Sequence, residues 1–480
     1  MKQQRLRIKL LALILFALFA LLAAYGLYSI NTYGNRWFAY NRNPRIREQK
    51  RNVTAGDIYD RAGVLLATTS ADGSRVYQAD EEARRAVVHL LGDPEGHVAN
   101  GVETFQTGYL HGFHTTLPEL LQIRFSGSAR VGDNVTLTVD SRLCTEITRF
   151  FGSRSLTRGK YGAAVVMNYK TGEVLALVSL PAFDPMAART PASGSTFYWN
   201  RCTQSLYPPG STFKIITTAA ALESIPGVQD MRFDCLGGLD VDGQVIHDFG
   251  LASHGALTLR QAFVKSCNIT YAKLALDMKD ANLRRTAESF GFGDNFLFRD
   301  VVVENSSYPA GTRSDFEVAM SGFGQSAIVA TPMHMCLVAA GIANDGLMME
   351  PTLLRGVQSG VTGVARDEFL PREYRRCLSP ENAAVLQDYM RAVVTSGTGS
   401  RAAVSGLTIC GKTGSAETSS NGRDVTHGWF IGYCADDELP FAVAVLVENI
   451  PDGEGGGSTA APIAGDIFTY LRDNRTLVTQ

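Results

Sequence analysis

The longest apolar stretch of the chain, Leu10 to Ile30, runs without a single charged side chain. A helix needs about 20 apolar residues to cross roughly 30 Å of hydrocarbon, and this stretch is long enough. It predicts one membrane-spanning helix. A cleaved signal peptide is the rival reading. The run exceeds the usual hydrophobic region of about 7–15 residues, however, and Ala20 to Tyr25 offers no good small-x-small cleavage site. Lys2, Arg5, Arg7 and Lys9 precede the span, and Arg36, Arg42, Arg45, Arg47, Lys50 and Arg51 follow it, so flanking charge alone does not orient it. Large domains translocate with little regard for such charges. The expectation is a cytoplasmic tail over 1–9, an anchor over 10–30 and everything later on the opposite side.

Beyond the anchor the pattern changes twice. Residues 31–155 carry short strand-like runs, Val64 to Ala67 and Val135 to Val139, between Gly, Asp and Asn turn signals, with helical stretches at Glu81 to Leu91 and Leu117 to Arg124. This reads as a small non-catalytic α+β module. From about residue 156, Ala163 to Met167 and Glu173 to Leu180 are apolar, β-rich and joined by the polar turn Asn168 to Gly172, which predicts a hairpin. Helical periodicity follows at Ser211 to Glu223, Leu259 to Asp277, Thr331 to Ala343 and Glu381 to Thr395, with Thr331 as N-cap and Pro332 at the first helical position. Strands return at Leu407 to Cys410, His427 to Cys434 and Phe441 to Glu448, before a closing helix, Ala460 to Leu471. The order predicts an α/β domain over 156–480 whose sheet joins strands from both of its ends, flanked by helices.

Composition narrows the class of function. With 480 residues, 45% hydrophobic and 19% charged, the chain has material for a sizeable core and too little net charge for disorder. A formal net charge of -2 leaves no global footprint for nucleic acid. The eight cysteines show neither C-x-x-C pairs nor Cys/His metal spacing, so no metal site and no cofactor are expected, while their disulfide state stays open. His111 and His114 read as a loop coincidence. The glycine-rich Asp452 to Ser458 lacks the lysine of a phosphate loop.

The chemistry concentrates in three places. In Tyr207-Pro208-Pro209-Gly210-Ser211-Thr212-Phe213-Lys214, Pro and Gly end a loop and Ser211 opens a helix, which puts Lys214 on the same face. A desolvated lysine beside another cation can lose its proton and serve as the base for a serine nucleophile. The helix start also offers the Ser211 N–H to an oxyanion. Ser266-Cys267-Asn268 follows in a later helical region, where Ser266 can relay a proton and Asn268 can hold a substrate amide. Lys412-Thr413-Gly414 follows the strand Leu407 to Cys410 and can bind a terminal carboxylate, with Ser415 offering a second oxyanion N–H. Decoys exist: Ser-x-Asn recurs at Ser29 to Asn31 and Ser419 to Asn421, and Lys-Thr-Gly at Lys170 to Gly172. Only the ordered set Ser211, Ser266, Lys412 has each member on a suitable element.

Ser-x-x-Lys, Ser-x-Asn and Lys-Thr-Gly in this order resemble the signature of penicillin-binding proteins. Gly56-Asp57-Ile58-Tyr59-Asp60-Arg61 and Gly132-Asp133-Asn134-Val135 are similar to the N-terminal module of the class B, monofunctional members, and Gly324-Gln325 and Gly428-Trp429-Phe430 to their catalytic domain. Ala55 and Ala62 stand where Arg and Asn are common in that family. The resemblance implies a bacterial, single-pass, extracytoplasmic peptidoglycan D,D-transpeptidase. It would act on stem peptides ending in D-Ala-D-Ala, be inhibited by β-lactams, and work beside a glycosyltransferase and other cell-wall proteins. Ser211, Lys214 and Ser266 would be its catalytic residues, and Asn268, Lys412, Thr413, Gly414 and Ser415 would bind substrate. A carboxypeptidase shares the acyl-enzyme. A class D β-lactamase is smaller and lacks the N-terminal module. A β-lactam sensor or non-catalytic wall scaffold is the non-enzyme alternative.

Overall fold

In the computed structural model, residues 2–38, 48, 52–188, 191–192, 195–311, 313–420 and 423–475 are described. The first helix, α1 (Lys2–Phe38), outruns the apolar stretch at both ends. Its Gln3–Ser29 segment, with mean hydropathy 2.7, is long and apolar enough to cross a membrane, and side chains such as Leu13, Phe16 and Leu21 point outward from it.

The catalytic region is built on a five-stranded antiparallel sheet. Its strands are β1 (Gly162–Asn168), β2 (Val174–Leu180), β3 (Ile409–Ser420), β4 (Arg423–Cys434) and β5 (Phe441–Ile450), in the order β3-β4-β5-β1-β2. Hairpin β1–β2 therefore pairs, through β5, with strands from the far end of the chain: Val165 stands opposite Ala444. Strands β1 and β2 are buried along almost their whole length, so both faces of the sheet are covered. This is why they read as continuous apolar runs rather than as alternating ones. Helix α2 (Ser141–Ser153) packs on β2, and α6 (Pro332–Ala343), apolar all round and buried throughout, lies against β1, β4 and β5.

Between them the chain forms α3 (Lys214–Ser224), α4 (Leu259–Lys265) and α5 (Asn268–Ser289); α7 (Pro380–Ser396) and α8 (Ala460–Asp473) follow α6. Two expectations change here. The periodicity that predicts one helix over Leu259 to Asp277 is broken: Ser266 adopts φ 60°, ψ 38° and ends α4, while Cys267 caps α5. Lys-Thr-Gly does not follow its strand but lies inside it, because β3 continues to Ser420.

A second sheet has six strands, in the order Ala365–Glu368, Leu354–Gln358, Asn134–Leu137, Ile58–Tyr59, Leu65–Thr69, Arg75–Tyr77. Its first two strands come from the stretch assigned by sequence to the catalytic domain, so the sheet of the N-terminal module is completed from far downstream. Thr138 Oγ1 donates to the Val174 and Thr352 carbonyls at 2.8 and 3.0 Å, binding the two regions at the seam.

Asp60, fully buried, organises the start of this sheet. Its Oδ1 accepts the Ala62 and Val64 N–H groups at 2.9 and 2.8 Å, and its Oδ2 accepts the Ser141 hydroxyl at 2.7 Å and the Ser141 N–H at 3.2 Å. Removing the carboxylate strands these donors in the interior. Asp60→Ala is expected to cost about 3 kcal/mol in denaturant unfolding. A stability unchanged within about 0.5 kcal/mol contradicts this role.

Candidate active site

The turn that presents Ser211 depends on two glycines. Ser211 lies on a single 3₁₀ turn, Gly210–Phe213, that runs directly into α3. Gly210 (φ 53°) donates its N–H to the Gly324 carbonyl at 3.0 Å. Gly324 itself has φ 74°, and a Cβ there would sit 2.1 Å from the Gly210 oxygen. No side chain fits at that contact. Strand β3 also approaches the turn, less closely: a Cβ on Gly414 would lie 3.1 Å from the Pro209 oxygen and 3.0 Å from Thr212 Cγ2.

Lys214 and Lys412 are both fully buried and converge on one hydroxyl. Lys214 Nζ donates to the Ser266 carbonyl at 2.5 Å, to Ser266 Oγ at 3.2 Å and to Asn268 Oδ1 at 2.8 Å. Lys412 Nζ donates to Ser266 Oγ at 2.9 Å and to the Thr413 carbonyl at 2.9 Å. The left-handed break at Ser266 makes this possible, since it turns both the carbonyl and the hydroxyl toward the amines. Among the described residues Lys214 makes no hydrogen bond to Ser211 Oγ; its donors are engaged by the second motif instead.

Burial pulls the Lys214 amine down to about 8, with the Asp248 carboxylate opposing the shift. Lys412 is also held well below the ordinary lysine value, first by burial and then by the charge of Lys214. Two ammonium groups sharing one hydroxyl out of water repel each other, which favours the loss of a proton from the pair.

Strand β3 is an edge. The Gln325 amide donates to the Glu417 carbonyl and accepts its N–H, both at 3.2 Å, in the orientation its neighbours dictate. Glu417 thus turns its backbone away from β4. With a strand period of two, Ser415 and Thr413 turn theirs the same way. The Ser415 N–H therefore faces the Ser211 turn. Ser211, Ser266, Asn268, Thr413, Gly414 and Ser415 line one cavity of about 810 Å³, and Thr413 Oγ1 bonds to Thr398 Oγ1 at 2.5 Å on its wall.

Residues 162–469 match the family model of the penicillin-binding protein transpeptidase domain. The chain belongs to this family. It is 30% identical over 457 residues to the peptidoglycan D,D-transpeptidase PbpA of Mycolicibacterium smegmatis, covering 90% of this chain and 92% of that one. Among solved structures, penicillin-binding protein A from M. tuberculosis, as a ceftriaxone acyl-enzyme complex, superposes with a TM-score of 0.79 at 28% identity over 88% of this chain and 98% of that one. The D,D-transpeptidase domain from Eggerthella lenta gives 0.74 at 29%, over 89% of this chain and all of that one.

In this penicillin-binding protein the three motifs meet as one constellation, and two of the three decoys fall elsewhere. Lys170 lies exposed in the β1–β2 turn, bonded to Asn344, and Ser29 lies in α1. Asn421 of the second decoy lies outside the described residues. Residues that sequence reasoning missed also face the cavity. Asp248 accepts the Asn268 N–H at 3.0 Å and His247 offers its carbonyl to the Asn268 amide at 3.3 Å, both from a segment with no motif to mark it.

The lowered Lys214 amine gives a pH dependence with a definite sign. Below about 8 Lys214 holds its proton and cannot accept one, so the second-order acylation rate by a penicillin should climb from about pH 6 and level off above about pH 8. Stopped-flow acylation measures this. A rate that falls over that interval contradicts a lysine base.

Proposed function

We propose that this chain is a membrane-anchored peptidoglycan D,D-transpeptidase that cross-links stem peptides through an acyl-enzyme on Ser211. The observation that carries the reading is the pair of buried amines meeting at Ser266 Oγ beside the serine that opens α3. Such a pair can hold a base in its neutral form and still keep a positive charge nearby.

The steps follow from that arrangement. Ser211 Oγ attacks the carbonyl of the penultimate D-Ala and gives its proton to Lys214, one helical turn along. The oxyanion that forms lies between the Ser211 and Ser415 N–H groups. The bond to the terminal D-Ala then breaks, and its nitrogen takes a proton passed through Ser266. An amine from a second stem peptide attacks the acyl-enzyme and frees Ser211. The edge of β3 at Ser415, between the Thr413 carbonyl held by Lys412 and the Glu417 backbone held by Gln325, suits an extended peptide that would pair with it. Asn268 would hold the substrate amide. The hydroxyls of Thr413 and Ser415 would meet the terminal carboxylate, with Lys412 supplying charge from beneath. β-Lactams would acylate the same serine and stop there.

The anchor and the N-terminal module suit an enzyme held at the outer face of a bacterial membrane beside a glycosyltransferase and other wall-building proteins. An inactive scaffold does not need two buried lysines around a serine hydroxyl. Burying them is costly, and a scaffold would have no use for it.

Intact-mass and peptide mapping of the full-length protein treated with penicillin should place the adduct on Ser211, and Ser211→Ala should show none. An adduct on another residue overturns the assignment. Lys214→Arg keeps the charge but cannot deprotonate, so its acylation rate should fall by about a thousandfold or more. Lys170→Ala should stay within about twofold. An active Lys214→Arg enzyme would remove Lys214 from the base role.

A further inference from the structure

The helix Leu117–Ser126 of the N-terminal module turns its apolar side to solvent. A capping box starts it: the Thr116 N–H and hydroxyl both donate to Glu119 Oε2, at 2.7 and 2.8 Å, and Gly127 ends it with φ 66°. Glu119 is buried and faces inward, where its Oε1 accepts from the Ser359 hydroxyl at 2.5 Å and from the Arg366 guanidinium at 2.7 Å. Helical spacing then puts Leu117, Leu120, Leu121 and Phe125 on the opposite side. They are 69%, 38%, 45% and 85% exposed, so a stripe of large apolar side chains stands uncovered among the described residues.

The place of this helix in the fold indicates what it faces. The anchor α1 touches the module through the short helices Val102–Phe105 and Thr107–Leu110. Ser29, the last residue of the membrane-length segment Gln3–Ser29, is already buried. The module therefore meets α1 where the apolar run ends, which is the level of a bilayer surface. Both ends of the exposed helix are tied to this same side. It begins a few residues after Leu110, and the chain beyond it returns to the first described stretch after the anchor: the Thr54 N–H donates to the Arg130 carbonyl at 2.9 Å, and Thr54 pairs with Val131.

We propose that the helix Leu117–Ser126 lies on the membrane surface beside α1, with its apolar stripe sunk between lipid headgroups and acyl chains as a second foothold. This rests on the membrane-anchored reading above. Ten residues make a helix about 15 Å long, too short to span, so it would lie in the plane of the surface. Charge agrees with a lipid occupant. Between Gly112 and Arg130 the only carboxylate is Glu119, which is buried and paired. Arg124 and Arg130 are exposed. Arg124 stands within the stripe, where its stem can lie along acyl chains while the guanidinium reaches a lipid phosphate. Arg130, beyond the helix end, would meet another.

A single spanning helix leaves the module free to turn about the helix axis and to tilt. A second contact with the bilayer would stop both motions. Glu119 carries the constraint inward, because its partner Arg366 belongs to the strand Ala365–Glu368 that completes the module's sheet. The height and facing of the Ser211 cavity above the membrane would then be set by two footholds rather than one.

The test takes the full-length protein in vesicles of phosphatidylethanolamine and phosphatidylglycerol. All eight native cysteines are buried, so an environment-sensitive dye can be placed at Phe125→Cys. Leu117→Cys is read in parallel, because one substitution can disturb the helix, and Lys170→Cys in the β1–β2 turn is the reference. At the two helix sites the emission should shift to the blue of the reference, and lipids carrying a nitroxide near the headgroup should quench it by about half or more. Leu121→Asp, added to Phe125→Cys, should reduce that quenching by about twofold or more. Quenching at neither helix site above the reference, in protein that floats with the vesicles and resists carbonate, overturns the docking. Quenching that Leu121→Asp leaves unchanged also overturns it, as does quenching that appears only when another wall-building protein is added, which would assign the stripe to a protein partner. Protein that neither floats nor resists carbonate overturns the anchoring itself, a separate failure. None of these readouts uses acylation, so the enzymatic reading stands or falls apart from them.

Discussion

Two lysine amines withdrawn from water and meeting at one serine hydroxyl set the terms for the rest of this molecule. An ammonium buried without partners is expensive, and these two have almost only each other's surroundings to rely on: Ser266, the Asn268 amide and the Thr413 carbonyl. Each amine comes from a different element. Lys214 rides on α3, Lys412 on the edge strand β3, and the shared hydroxyl on the break between α4 and α5. A shift of any one of the three would leave a buried charge unsatisfied. The arrangement thus demands a framework that fixes a helix, a strand and a helix break to within a fraction of an ångström.

The framework meets that demand by close backbone approach. Gly324 against the Gly210 carbonyl and Gly414 against the Ser211 turn let main chains touch where side chains would hold them apart. Trp429, buried on β4 opposite Gly414, donates its indole N–H to the Pro208 carbonyl at 3.0 Å and fixes the loop from the other side. The covered five-stranded sheet is the rigid base for these contacts. Ser266 in a left-handed conformation carries strain that its three bonds to the two amines offset.

The second sheet shows how the N-terminal module and the catalytic region are joined. The strands Leu354–Gln358 and Ala365–Glu368 leave the catalytic region to complete the module's sheet, and Thr138 ties both to β2. Motion of one region against the other would have to break sheet hydrogen bonds, so the two sheets are mechanically continuous.

The sequence by itself determined what local chemistry can encode. An uncharged run of membrane length, a polar turn between two apolar β-rich runs, a helix capped by Thr331 and opened by Pro332, and a serine placed one helical turn before a lysine each act over a few neighbouring residues. Their signals survive in the letters. What only the tertiary structure decided depends on partners far along the chain. Leu259, Ala262, Phe263 and Ile269 keep an apolar spacing that reads as one helix, whereas the break at Ser266 is held by partners on other elements: two lysines on Ser266 and the Asp248 carboxylate on the Asn268 N–H. Residues 354–368 have nothing in their composition to announce the distant strand they join. Cys235, Asp248, His254 and Cys267 become neighbours because two short strands pair and a hairpin folds back, which no spacing rule along the chain records.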